Sequence, residues 1–236
     1  MNYDTLIATG CSYTNYTWKT WADHLGDYFP IYKNLGQSGS GPRYSWMRIQ
    51  RYLKYQANYS TMESTVIAVQ WSSLLRNDMY ILNQEGRYCW PGGGQVNNNI
   101  HYSKDYLDNY FDLVDKALDL EFFIENLILA SEKYKFRLVM FYMLEPWIKD
   151  FGGEPTGGNG HLNVRDKINE FYKTPYPKRL EDLYNSKYWV KPSIELFTAE
   201  VPDPNKDPND HHPSPLQHFH YANKIKEHLG LFSTLL

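Results

Sequence analysis

Cysteine, clustered charge and long apolar runs are all scarce in this chain of 236 residues. Its two cysteines, Cys11 and Cys89, form no Cys-x-x-Cys pair and are too few for a disulfide framework. The 24 basic and 27 acidic residues give a net charge of -3 without any polybasic block, so generic nucleic-acid binding has no electrostatic basis. The longest apolar run, residues 138–144, is far shorter than the ~20 residues of a membrane span. We therefore expect a protein that binds neither nucleic acid nor membrane.

The first residues also lack a basic segment followed by a long apolar stretch, so we expect no cleaved signal peptide. With so few cysteines, the reducing cytoplasm is the expected location, and a phage particle or virion is the alternative. Aromatic residues make up 17% of the chain, which excludes an intrinsically disordered protein. A chain of this length and composition is typical of one globular domain.

Apolar runs and helical spacings alternate along the chain. Short apolar runs predict buried strands at residues 5–8, 31–32, 65–71 and 136–143. Apolar residues three or four apart predict helices at residues 18–25, 44–58, 105–134 (with a break near Leu120), 179–185 and 215–229. Loop insertions are expected near 80–103 and 150–177. The alternation predicts a parallel sheet covered on both faces, in a single domain over residues 1–236, with its active site at the carboxyl ends of the strands.

A short turn follows the first predicted strand and reads Thr-Gly-Cys-Ser-Tyr-Thr over residues 9–14. A serine in a tight turn between a strand and a helix has an exposed Oγ, and its amide lies near the helix N-terminus, where negative charge is stabilised. Ser12 is therefore a candidate nucleophile, and the alternative is an ordinary helix N-cap. Cys11 is a rival nucleophile, but a cysteine at such a position more often packs inward as a small hydrophobe.

Two further segments carry side chains or backbone groups suited to catalysis. Residues 34–41 form a glycine-rich loop whose amides can approach a substrate oxygen, and the loop lacks the Gly-Lys-Ser/Thr of a P-loop. Residues 207–214 combine aspartates and histidines directly before the last predicted helix, as a general base and its orienting acid require. Metal binding is the alternative, since residues 211–220 contain four histidines, although their spacing matches no standard metal motif.

The order of these segments resembles the SGNH (GDSL-type) hydrolase family, through short blocks spread over residues 6–225. Residues 10–14, 34–39 and 210–214 are similar to the family's first, second and fifth blocks. The resemblance implies a three-layer α/β/α sandwich with a mostly parallel, flavodoxin-like, five-stranded sheet. It also implies a hydrolase that uses no cofactor and no metal ion.

The same resemblance assigns roles to individual residues. Ser12 is the implied nucleophile, and the amides of Ser12 and Gly39 are implied to bind the oxyanion. His212, the histidine directly before a proline, is the implied base. His218 matches a helix histidine that often follows this block and has no implied catalytic role.

The first departure from the family pattern lies in its third block, Gly-x-Asn-Asp, whose asparagine donates to the oxyanion. Here the end of the third predicted strand reads Gln-Trp-Ser-Ser-Leu-Leu-Arg-Asn-Asp. A hydroxyl of Ser72 or Ser73 is the expected replacement, with Ser73 preferred, and substrate contacts are expected at Trp71, Arg76 and Asn77. Outright loss of one oxyanion donor lowers rates by ~10²–10³, which would predict a slow enzyme.

The second departure concerns the acid that orients the base. The family places an aspartate three residues before the histidine, where this chain has Asn209. Asp210 is the expected acid and Asp207 is the alternative. A dyad, in which a backbone carbonyl orients His212, is a third arrangement.

Together these residues predict a serine esterase that acts on a small-molecule or polysaccharide ester. An O-acetyl group on a carbohydrate is the expected substrate, because the loop insertions are rich in Tyr and Asn and contain Trp90. Three alternatives are an O-acyltransferase, a non-catalytic carbohydrate- or protein-binding module, and a nucleotide-binding domain that uses residues 36–41. The enzyme hypotheses require Ser12 and His212 to meet in space.

Overall fold

A parallel sheet lies at the centre of the computed structural model, which describes residues 3–57, 59–78, 81–82, 88–89, 92–95, 102–143, 145–146, 162–191 and 212–231. The strands are β1 (Thr5–Thr9), β2 (Ile31–Asn34), β3 (Thr65–Trp71), β4 (Arg76–Asp78), β5 (Ile81–Leu82), β6 (Tyr88–Cys89), β7 (Gly92–Gln95) and β8 (Arg137–Tyr142). The helices are α1 (Trp21–Gly26), α2 (Pro42–Tyr55), α3 (Lys104–Asn109), α4 (Leu113–Tyr134), α5 (Leu162–Phe171), α6 (Tyr176–Tyr184) and α7 (Pro215–His228).

The central sheet has the order β2-β1-β3-β8, and all of its strands are parallel. Thr5 at the start of β1 pairs with Ile31 on one side and Thr65 on the other. On the outer side of β8, Trp189 forms a single parallel bridge to Met140. The order is that of flavodoxin-like folds. The expected fifth strand is reduced, in the described part of the chain, to this one bridge.

Successive residues of each strand point to opposite faces of the sheet, so each face has its own core. On β3, Val66 and Ala68 pack with α1 and α7. Ile67, Val69 and Trp71 pack on the other face, with α2, α4 and α6. All seven residues of β3 are buried, which explains why the sequence shows a continuous apolar run there. The chain is thus the predicted three-layer α/β/α sandwich.

The helices differ from the prediction mainly at their ends. Helix α1 begins at Trp21 rather than at residue 18, after Thr20, whose backbone amide donates to the Asp23 carboxylate at 2.8 Å. The helix predicted over residues 105–134 is two helices, and they separate at residues 110–112 rather than near Leu120, which is buried within α4. Helix α5 lies in a segment that the sequence predicts as a loop insertion.

The insertion near residues 80–103 is described only in part. Its short strands pair outside the central sheet, β4 with β7 and β5 with β6, both antiparallel. The first part of the other insertion, up to residue 161, lies outside the described residues. Within the described ranges, every helix is too short or too polar to cross a bilayer.

Candidate active site

Three segments meet at the carboxyl ends of β1, β2 and β3. The backbone oxygen of Gly10, just after β1, accepts hydrogen bonds from the Gln37 amide and from Ser40 Oγ, both at 3.0 Å. Thr14 Oγ1 donates to Gln70 Oε1, at the end of β3, at 2.8 Å. These bonds bring the serine turn and the glycine-rich loop to the edge of the sheet where the sequence predicts an active site.

Two glycines make this close approach feasible. A Cβ on Gly10 would lie 2.1 Å from Thr14 Oγ1 and 2.9 Å from Gln70 Cβ. A Cβ on Gly36 would lie 2.9 Å from Thr14 Cγ2. Neither position has room for a side chain, so the glycines of both motifs allow the two loops to pack together.

Ser12 lies in a turn rather than at the start of a helix. The turn is closed by a hydrogen bond from the Thr14 amide to the Cys11 oxygen at 2.9 Å. The next helix begins only at Trp21, with Thr20 as its N-cap, so the expectation that α1 stabilises charge at Ser12 is wrong, and so is the N-cap alternative. Ser12 is 2% exposed rather than open to solvent, and its Oγ has no hydrogen-bond partner among the described residues.

Cys11 packs inward, as predicted. Its side chain is fully buried, and its Sγ lies 3.5 Å from Met143 Sδ and 3.9 Å from Gln70 Oε1. A thiol in such surroundings behaves as a small apolar side chain. Ser12 is therefore the better nucleophile candidate of the two.

His212 reaches the serine turn from the other end of the chain. Its ring stacks on Tyr16, with centroids 4.0 Å apart and planes at 22°. Tyr13, the neighbour of Ser12, lies roughly perpendicular to the same imidazole, with centroids 5.4 Å apart and planes at 77°. The structure thus places His212 against the turn that carries Ser12. No hydrogen bond joins Ser12 Oγ to it, and catalytic hydrogen bonds are often loose in free enzymes.

The expected acid, Asp210, and its alternative, Asp207, lie outside the described residues, as does His211. Among the side chains that the structure does describe, no three His, Cys, Asp or Glu residues converge in a way that could hold a metal ion. His220, at the far end of the histidine-rich segment, is exposed on α7.

His218 supports the fold by binding the start of α1. Its Nδ1 accepts a hydrogen bond at 3.2 Å from the amide of Trp21, the first residue of α1. Burial, reinforced by the nearby His24 and His212, lowers the pKa of His218 to about 3. His218 is therefore a neutral ring that satisfies a helix N-terminus, which is a contact that sequence reasoning does not find.

The residues expected near the oxyanion hole differ in the hydrogen bonds that their polar atoms already make. Gly39 has a φ of 78°, in the left-handed region that favours glycine. Ser73 Oγ accepts a hydrogen bond from the Leu75 amide at 3.1 Å. Ser72 Oγ and Gln70 Nε2 are buried and have no partner among the described residues. Ser72 Oγ thus has no described hydrogen bond, whereas Ser73 Oγ accepts one and keeps its own O–H as a donor.

Trp71 is fully buried in the core between the sheet and α2. It offers no surface to a substrate, so the expected substrate contact at Trp71 is not met. The indole follows Ile67 and Val69 on the same face of β3, where the alternation of the strand directs it inward.

The late Asn-Asp pair is occupied by contacts within the fold. Asn77 Nδ2 donates to the Tyr106 hydroxyl, and Asn77 Oδ1 accepts from Lys116 Nζ, both at 2.8 Å. Arg76, Asn77 and Lys116 line a space of about 20 Å³, which has room for about one water molecule. The substrate contacts expected at Arg76 and Asn77 stay predictions.

Asp78 completes this arrangement at the start of α2. Its two carboxylate oxygens accept hydrogen bonds from the amides of Gly41 (2.6 Å) and Tyr44 (2.9 Å). Burial raises the pKa of Asp78, and these two amides oppose the rise. Asp78 thus supplies the side-chain acceptor that the N-cap residue, Gly41, lacks.

Sequence reasoning also misses Asn34, which joins the two loops of the site. Asn34 Nδ2 donates to the Thr14 oxygen at 2.7 Å, and Asn34 Oδ1 accepts from the Gly36 amide at 3.0 Å. From the other loop, Asn15 Nδ2 donates to the Gly36 oxygen at 2.9 Å. The preference of asparagine for local backbone hydrogen bonds could have identified the bond from the Gly36 amide to Asn34 Oδ1.

No family model matches the chain, and no curated protein matches it. Among solved structures, the chain is similar to a catalytic mutant of an acetylxylan esterase from Geobacillus stearothermophilus. The alignment covers 98% of this chain and 96% of that chain, with 14% sequence identity and a TM-score of 0.44. A function for the chain is therefore inferred from its own residues.

Proposed function

We propose that this chain is a serine esterase in which Ser12 is the nucleophile and His212 is the general base. The observation that supports it is a buried Ser12 Oγ without a described partner, in a turn on which His212 packs through Tyr13 and Tyr16. A serine becomes nucleophilic when an adjacent base takes its proton. Because the two residues come from opposite ends of the chain, only the fold brings them together.

In the proposed reaction, Ser12 Oγ attacks the ester carbonyl carbon and His212 accepts the Oγ proton. The tetrahedral intermediate collapses as the bond to the alcohol oxygen breaks, and His212 returns the proton to the departing alcohol. Water then attacks the acyl-enzyme, with His212 taking its proton. As the second intermediate collapses, the bond from the acyl carbon to Ser12 Oγ breaks and His212 returns its proton to Oγ, which releases the carboxylic acid and restores the Ser12 hydroxyl.

The oxyanion of both intermediates would accept hydrogen bonds from the amides of Ser12 and Gly39. We propose Ser72, rather than Ser73, as the third donor. Ser73 Oγ keeps its own O–H, but the Leu75 amide holds it against the backbone, whereas Ser72 Oγ has no described partner. Asp210 remains the proposed acid for orienting His212, with Asp207 as the alternative. An O-acetylated carbohydrate remains the proposed substrate.

Labelling with a fluorophosphonate probe tests the nucleophile. Attack by Ser12 Oγ displaces fluoride and leaves a covalent adduct that intact-mass analysis detects. We expect one adduct on the wild-type chain and none on Ser12→Ala or His212→Gln. Ser60→Ala and His220→Gln are matched controls, since both residues are exposed and outside the site, and both variants should label normally.

Because Ser12 is only 2% exposed, hydrolysis of the small ester p-nitrophenyl acetate is measured beside the labelling. An adduct that persists on Ser12→Ala would overturn the assignment of the nucleophile. A folded wild-type chain that neither labels nor hydrolyses the ester would overturn the enzyme proposal.

One observation favours a second candidate, a non-catalytic binding module on the same fold. The Asn-Asp pair near the third block is held by Tyr106, Lys116 and the start of α2, so the amide of Asn77 is already bound within the fold. This candidate predicts binding of acylated glycans with neither labelling nor turnover. A glycan-binding screen on the wild-type chain, run beside hydrolysis of the same acylated glycans, separates the two, because a binding module binds them without turnover and an esterase hydrolyses them.

A further inference from the structure

We propose that Tyr16 is a positioning residue for His212, which it holds in place by ring stacking. The proposal rests on the proposed function, since it concerns the base of that reaction. The centroid distance of 4.0 Å and the interplanar angle of 22° describe a face-to-face contact over the imidazole. Tyr13 lies against the same ring with centroids 5.4 Å apart and planes at 77°, so two tyrosines of one turn contact the imidazole, one stacked on it and the other roughly perpendicular to it.

The ring of Tyr16 also packs against a second aromatic side chain, that of Trp18. Trp18 packs against Tyr16 with centroids 4.6 Å apart and planes at 75°. The three rings Trp18, Tyr16 and His212 therefore form a continuous aromatic series. A ring that packs against another ring is less free to rotate, so Tyr16 presents a fixed surface to the imidazole.

The turn that carries Tyr16 is anchored to the body of the protein. The backbone oxygen of Thr14 accepts hydrogen bonds from Asn34 Nδ2 and from Thr20 Oγ1, both at 2.7 Å. Ser12 and Tyr16 lie on either side of this anchor. One short segment therefore carries both Ser12, the proposed nucleophile, and Tyr16, on which His212 stacks. The local backbone of this segment fixes the position of Ser12 relative to Tyr16.

A general base must keep one orientation toward the nucleophile throughout the reaction. Stacking fixes the plane of the imidazole, while a hydrogen-bonding acid would fix its rotation within that plane. The face of a tyrosine also attracts the imidazolium that forms when His212 takes the serine proton. Tyr16 therefore supports both the position of His212 and the charge that it acquires.

Three substitutions at Tyr16 test the proposal. Tyr16→Phe keeps the ring, Tyr16→Leu removes it, and Tyr16→Met is a second variant without an aromatic face, whose unbranched, adaptable side chain can fill the site differently in case the leucine variant folds poorly. Tyr110→Leu is the matched control, because Tyr110 is 72% exposed and lies in the connection between α3 and α4.

The first readout is steady-state hydrolysis of p-nitrophenyl acetate. We expect Tyr16→Phe to stay within about threefold of the wild-type kcat. Tyr16→Leu and Tyr16→Met should lower kcat by about 10- to 100-fold with little change in KM, as expected for a displaced catalytic group. Equal losses in the phenylalanine and leucine variants would overturn the stacking proposal, since the hydroxyl and not the ring would then matter.

The second readout does not depend on activity. In the ¹H NMR spectrum, the ring protons of His212, assigned by their loss in His212→Gln, should show an upfield shift from the face of Tyr16. The shift should persist in Tyr16→Phe and Tyr110→Leu and disappear in Tyr16→Leu. A shift that is unchanged in Tyr16→Leu overturns the proposal. Absence of labelling and turnover in the wild-type chain instead overturns the proposed function, and the NMR shift still decides whether Tyr16 holds the ring.

Discussion

The carboxylate of Asp78 accepts a hydrogen bond from the amide of Gly41 at 2.6 Å, and so ties the insertion after β3 to the start of α2. We expect Asp78→Ala to lower the free energy of unfolding by about 1–3 kcal/mol, because it leaves buried backbone amides without an acceptor. Urea denaturation followed by circular dichroism measures the change. Glu227→Ala, at an exposed position on α7, is the control and should lie within about 0.5 kcal/mol of wild type.

The two serines after β3 give opposite predictions. Ser72→Ala should lower kcat/KM by about 10²-fold with an unchanged melting temperature, as expected for an oxyanion donor that does not support the fold. Ser73→Ala should cost about 1 kcal/mol of stability, because the Leu75 amide loses its acceptor, and should change kcat much less. Kinetics and thermal unfolding of both variants measure these effects. The reverse pattern would return the donor role to Ser73.

His218 makes the stability of the protein depend on pH. Burial lowers its pKa from an ordinary value of 6.5 to about 3, so the unfolded chain binds more protons than the folded chain between these values. The contribution of His218 to stability is therefore complete above pH 6.5. It is lost as the pH falls toward 3, at about 1.4 kcal/mol per pH unit.

Urea midpoints measured from pH 7 down to pH 4 check this dependence. We expect His218→Gln to weaken the acid dependence, since glutamine remains neutral and its side-chain oxygen can still accept from the Trp21 amide. His220→Gln, whose ring is exposed on the same helix, should retain the wild-type slope. An unchanged slope in His218→Gln would show that other groups cause the loss of stability in acid.

Much of the fold could be predicted because its signals are local. Strand β3 is predicted over the residues at which it occurs, since a short apolar run rich in β-branched residues is typical of a strand buried on both faces. Helix α7 is predicted to within one residue, because Ser214 and Pro215 are strong start signals and an apolar stripe follows them. In both cases the neighbouring residues in the sequence carry all of the information.

Most of the wrong predictions concern residues whose positions depend on contacts with parts of the chain that are distant in sequence. At helix α1 a local start signal exists, Thr20 with Asp23 three residues later, but the spacing of Trp18 extends the predicted helix past it; the bond of the Trp21 amide to His218 comes from the other end of the chain. Trp71 is directed inward although it ends a strand, and a run in which every residue is buried contains no alternation that could reveal its direction. The Asn-Asp pair is held by Gly41, Tyr44, Tyr106 and Lys116, none of which is close to it in sequence.

The site divides in the same way. Sequence blocks bring Ser12 and His212 forward as candidates, and the fold places both in one region. The stacking of Tyr16 on His212 has no sequence signal, because an aromatic residue in a loop is common and its partner lies far along the chain. An aromatic residue in a loop contributes to a site only when the fold places a residue of that site against its ring.

The anchoring of the serine turn at Thr14 also limits how this segment can vary among related chains. Ser12 and Tyr16 lie on opposite sides of a fixed point, so inserting or deleting one residue between them would rotate one group away from the other. Substitution is different, since Thr17, just beyond the segment, is exposed and can change without moving either group. Related sequences should therefore keep the length of this segment while its exposed side chains vary.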